Sequence, residues 1–144
     1  MSKKRDKQRI AQAQAPKRGP IPVGKAPDGP VFVTFSFKHL AFTDKFCLDK
    51  AEDNYPFALL ERLKGVSLTL HSDFIQPTKA LRSHTIEFGT TSEPNGFGLH
   101  PQLLGTPWQF AVSANEHGRV HGFILGSVFH VVWIDPAHLL WPKT

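Results

Sequence analysis

At 144 residues and 40% hydrophobic content the chain is sized for one domain with one core, which excludes a wholly disordered protein. Its net charge of +5 is uneven: residues 1 to 30 hold eight Lys and Arg against two Asp, a net of +6, so residues 31 to 144 hold nine against ten, a net of −1. The single cysteine, Cys47, excludes an internal disulfide, and no apolar run approaches the length of a membrane span.

Residues 1 to 30 read as a disordered basic arm. Pro16, Pro20, Pro22, Pro27 and Pro30, a Gln/Ala run and few apolar side chains leave too little surface to bury against the entropy of ordering. Lys3, Lys4, Arg5, Lys7, Arg9, Lys17 and Arg18 are candidate RNA contacts, because cations placed along a polyanion release its counterions. The basic start is not followed by the apolar region of a signal peptide, and a cytoplasmic location without membrane contact is expected.

Residues 31 to 144 are expected to form a single α+β domain, with an N-terminal strand, one main helix and a C-terminal three-stranded antiparallel meander, the helix packed on one sheet face. Val31 to Phe37 alternates with period two, setting Val31, Val33, Phe35 and Phe37 on one face of the first strand. Asp53-Asn54-Tyr55-Pro56 then reads as a helix start, with an Asn or Asp cap and an early proline. Leu59, Leu60, Leu63, Val66, Leu70 and Phe74 recur at spacings of three and four, which predicts one helix from about Pro56 to Ser72. Gly65 costs such a helix about 1 kcal/mol. The competing reading stops at Gly65 and makes Val66 to Leu70 a strand.

Ser83 to Phe88 is read as a short strand. Gly89 to Pro107, with Gly96, Gly98, Gly105, Pro94 and Pro101 inside it, is a long loop with a turn of helix at Pro101 to Leu104. The meander follows, from Trp108 to Trp141. A two-residue turn at Gly126-Ser127 sets Leu125 opposite Val128, Phe123 opposite His130 and His121 opposite Val132. Arg119, His121, Phe123, Leu125, Val128, His130, Val132 and Ile134 then share one face. Val120, Gly122, Ile124, Phe129, Val131 and Trp133 share the other, which is wholly apolar and is assigned to the core.

The mixed face is the expected working surface, with His121 and His130 as diagonal neighbours roughly 7 Å apart. Arg119 can hold a phosphate while His121 and His130 move protons near neutral pH. Arg82, His84 and Glu87 form a second group of donors with a base. Trp141 is the more exposed tryptophan and a candidate for stacking on a base. Asp135 and His138 flank a proline turn and have metal-ligand chemistry, but no paired-His or Cys spacing accompanies them. No metal or cofactor is therefore expected, and Cys47 reads as a small buried hydrophobe.

The order strand, helix, meander, with a His-containing tail, resembles the RelE/ParE-type toxin fold of bacterial toxin–antitoxin systems. The residues carrying the resemblance are Leu59 to Lys64 in the helix, Gly118 to Phe123 in the penultimate strand and Phe129 to His138 at the end. The resemblance implies action on messenger RNA, with Arg119 and His138 as the basic and late-histidine residues and Glu87 as a base. The late aromatic is Trp141, which cannot transfer a proton. The expectation is thus an RNA-binding protein of toxin-type endoribonuclease character, acting without metal through Arg119, His121, His130, His138 and Glu87. Its partners are RNA, at the ribosome, and a protein such as an antitoxin. The alternative is a non-enzymatic protein-interaction module, which weak salt dependence of binding would reveal.

Overall fold

The computed structural model describes residues 29–77, 79–114 and 116–141, so the predicted RNA contacts from Lys3 to Arg18 lie outside the described residues. The elements in order are β1 (Thr34–Ser36), α1 (Tyr55–Ser67), α2 (His71–Phe74), β2 (His84–Thr85), β3 (Thr106–Ala111), β4 (Arg119–Leu125) and β5 (Val128–Asp135). Short 3-10 turns occupy Leu48–Lys50, Phe88–Thr90 and Pro101–Leu103. The architecture is α+β, with one five-stranded mixed sheet ordered β1-β5-β4-β3-β2. β1 runs parallel to β5 and the other neighbours are antiparallel. The sheet has five strands where a three-stranded meander was expected, with the short strands β1 and β2 at its two edges.

The β4–β5 hairpin turns at Gly126, whose φ of +59° suits a residue without Cβ, and Leu125 pairs Val128. The register predicted from that turn runs as far as Gly122 opposite Val131 and then slips, so that His121 opposes Trp133 and not Val132. One extra residue on β5 forms a bulge, and every side chain beyond it changes face. Trp133 and Asp135 therefore join His121 and Arg119, while Ile134 moves to the helix side. Gly122 makes the close approach feasible, because a Cβ there would overlap the carbonyl of His130.

Both faces are consequently covered. Against α1 and α2 the sheet buries Phe110, Val120, Phe129, Val131 and Ile134 with Val33, Tyr55, Val66 and Phe74. On the opposite face Phe46, Ile86, Phe123, Val132, Trp133 and Leu140 form a second core, and Phe46 stacks on Trp133 with ring centroids 4.6 Å apart. Phe88, and Phe97, Leu99 and Leu104 from the long loop, pack against this layer. Much of the expected working surface is thus a second hydrophobic core.

The helix is shorter than predicted. Ser67 and Thr69 hydroxyls donate to the carbonyls of Lys64 and Gly65, competing with continuation of the helix, and Leu70 is extended and bridges to Phe32. Neither the continuous helix to Ser72 nor a strand over Val66 to Leu70 forms. Leu60 points outward at 65% exposure, unlike the half-buried Leu59 and Leu63. Asn54 stands at the N-cap without a capping bond, because its Oδ1 accepts instead from His117 Nε2 at 3.1 Å. In the first strand only Thr34–Ser36 pairs with the sheet, which leaves Val31 and Phe37 exposed. Cys47 is half-buried, not enclosed.

Candidate functional site

The register across β4, β3 and β2 places Gln109 beside His121 and His84 beside Gln109, with Arg119 next along the same face. That face, away from the helices, opens at its Arg119 end into a cleft of about 590 Å3. Arg119, Gln109 and His84 border it from the sheet, Lys79, Arg82 and Ser83 from the segment before β2, and His138 and Trp141 from the chain after β5. No carboxylate is among these residues. A second cleft, of about 440 Å3, shares Arg82, Arg119 and His138 and continues past Glu52, Glu116 and His117.

Three non-glycine residues among those described have left-handed backbones: Arg82 at φ +47°, His117 at +64° and His138 at +57°. All three border these clefts. A side chain in this region costs roughly 1–3 kcal/mol, and such strain gathers where geometry serves a site. Short reversals set two of them: His138 N donates to Asp135 O across the proline turn, and Arg82 N donates to Lys79 O.

Arg119 donates from Nη1 to the Gly118 carbonyl at 3.0 Å, while its buried Nε has no protein partner. Burial first, and the nearby charge of Arg82 second, lower its pKa, against the attraction of Asp135. The charges of the two guanidiniums therefore oppose each other across the cleft.

Beneath the cleft a directed chain of hydrogen bonds runs between strands. Trp141 Nε1 donates to Gln109 Oε1 at 2.7 Å, leaving the Gln109 amide nitrogen 2.8 Å from His84 Nε2. His84 Nδ1 lies 2.6 Å from the Thr85 carbonyl. An indole N–H only donates, so the amide orientation follows; the amide N–H then donates to a bare Nε2, and Nδ1–H donates to Thr85.

His121 is completely buried, with Nε2 3.1 Å from Asp135 Oδ2. Burial lowers the His121 pKa more than Asp135 raises it, so the imidazole is neutral and donates Nε2–H, leaving Nδ1 without a partner. Burial also acts to raise the Asp135 pKa, but His121 and the Leu139 and Leu140 amides outweigh it, and the carboxylate stays ionised. Asp135 thereby ties the tail carrying His138 and Trp141 to β5. His130 lies elsewhere, stacked on Phe123 at 4.8 Å and beside His39. Burial, followed by the charges of His39 and Lys38, lowers its pKa.

Of the residues predicted from sequence, Arg82, Arg119, His138 and Trp141 meet at the cleft, together with His84. His121 is sealed beneath Phe46 and Trp133, His130 sits apart, and exposed Glu87 precedes the Phe88–Thr90 turn without bordering either cleft. Sequence reasoning missed Lys79 and Gln109. Gln109 did carry a signal, as a polar residue set between Trp108 and Phe110 in the buried part of its strand.

Glu52, Glu116 and His117 could each offer one ligand atom within 4.8 Å of the others. Both His117 ring nitrogens are already engaged, by Ser113 Oγ at 3.0 Å and Asn54 Oδ1 at 3.1 Å, so a metal would have to displace one of them. Among the described residues, no helix is long and apolar enough to cross a membrane. Compared with known proteins, the chain matches no family model, no curated protein and no solved structure.

Proposed function

We propose that the cleft binds RNA, with a phosphate held between Arg82 and Arg119 and an adjacent base stacked on Trp141. The observation that carries this reading is the convergence of Lys79, Arg82, Arg119 and an indole in one cleft whose described lining has no carboxylate. Guanidiniums match phosphate oxygens bidentately, and stacking on an aromatic face serves any base. A volume near 590 Å3 is in the range of small-ligand pockets, enough for a nucleotide unit and not for a duplex.

Cleavage is the narrower form of the proposal. It needs a proton-transfer group at the phosphate, and His138, which borders both clefts, fills that position. This agrees with the late-histidine role that the RelE/ParE-type resemblance implies. His84 is less available, since Gln109 occupies its Nε2.

The test is fluorescence anisotropy with a labelled single-stranded RNA. Arg82→Gln and Arg119→Gln should each weaken binding about tenfold and flatten its salt dependence by about one charge. Unchanged affinity in both variants would overturn the proposal, and salt-insensitive binding of a protein partner would favour the interaction module. In the same tubes, RNA cleaved by the parent and not by His138→Ala would establish the catalytic form.

A further inference from the structure

The hydrogen-bonded chain under the cleft has only one consistent set of proton positions, and that makes it a latch. We infer that Gln109 is a positioning residue that holds the Trp141 indole only while His84 is neutral, so that protonation of this imidazole releases the ring. The latch rests on the RNA reading for what Trp141 contacts, and not for its own operation.

The geometry links the three side chains. A proton added to His84 Nε2 sets two N–H groups against each other at 2.8 Å. A half-turn of the Gln109 amide would offer Oε1 to the imidazolium, but it would turn the amide NH2 onto the indole N–H, 2.7 Å away. Gln109 is 2% exposed, so little of its amide meets water. His84 is exposed and its ring can answer by turning out to water; where it stays in place, the conflict passes along the chain to Trp141, the one link that lies outside a strand.

The charged and titratable groups around His84 come from every neighbouring element. Lys79 and Arg82 precede β2, Arg119 lies on β4 and His138 follows β5, all bordering the same cleft. His121, within the sheet, feels the charge of His84. Gln109 faces Nε2 from β3, and the Thr85 carbonyl fixes Nδ1. The hydrogen-bond directions set what a proton gained by the imidazole does.

The test follows the Trp141 indole N–H by nitrogen-15 NMR on the full chain, its signal identified by its loss in Trp141→Phe. On acidification the signal should shift with the same midpoint as the His84 ring. Its protection from solvent exchange, corrected for the intrinsic rate, should fall at least tenfold on the acid side. In His84→Gln, whose amide carries no titrating proton, the titration should vanish with the fold intact, since residue 84 is exposed on an edge strand. In Gln109→Met the protection should be low at every pH. An indole signal that ignores the His84 midpoint, or that titrates unaltered in His84→Gln, overturns the latch. Failure of RNA to bind a protein whose latch titrates as described removes the proposed function alone.

Discussion

At residue 121 a buried imidazole links the protein's stability to pH. His121 has a folded-state pKa below its ordinary value of 6.5, so the unfolded chain binds more protons as pH falls through that value. Its contribution is full at neutral pH and declines on acidification. Asp135 is also depressed, but from 3.8, and its contribution is lost only under stronger acid. The interval from pH 7 to pH 5 therefore belongs to His121 within this pair. Thermal melts of the parent should show Tm falling over that interval, and His121→Gln, which keeps a donor for Asp135, should flatten the slope. Asp135→Ala removes the acceptor of three donors, the His121 imidazole and the Leu139 and Leu140 amides. It should lower unfolding free energy by about 3 kcal/mol in urea titrations. The sequence displayed His121 as a polar residue on a strand, but exposure at that position is decided by Phe46 and Trp133, one of them 75 residues away in the chain.

At the scale of elements, the hairpin separates what local chemistry reveals from what it conceals. Gly126-Ser127 specifies its own turn, and the pairs next to it follow. The slip beyond Gly122 has no such signature, since Val131 and Val132 are equally suited to either face of a strand. Gly122 was the only hint, a residue without Cβ where backbones approach closely. Gly122→Ala should cost about 2–3 kcal/mol in chemical denaturation, because the added methyl meets the His130 carbonyl and the Phe129 ring. A near-neutral result would mean that the bulge does not depend on glycine. The helix end was hidden for a related reason: Leu70 keeps the helical spacing yet is claimed by a long-range bridge to Phe32, which no periodicity reports. The cleft was partly visible for the opposite reason. Arg119, His138 and Trp141 lie near one another in sequence around β4 and β5, whereas Lys79 reaches them only through the sheet order β5-β4-β3-β2.

For the whole molecule, charge and shape make separable contributions. Residues 31 to 144 are nearly neutral overall, at −1, yet they gather three cations at one cleft, while residues 1 to 30 carry +6. RNA affinity should divide accordingly. Replacing Lys3, Lys4, Arg5, Lys7 and Arg9 with Gln in the full chain removes five charges that engage phosphate without selecting a site, and each engaged charge adds roughly 0.7 to the salt slope on a single strand. Trp141→Ala removes a neutral stacking surface worth about 1–3 kcal/mol. The first change should flatten the log–log salt plot by up to about 3.5 units and leave the Trp141 effect intact; the second should lower the whole plot in parallel. Loss of slope with no further effect of Trp141→Ala would show that the basic segment binds RNA alone and that the cleft takes no part, whereas parallel displacement assigns the positioned contact to the folded body.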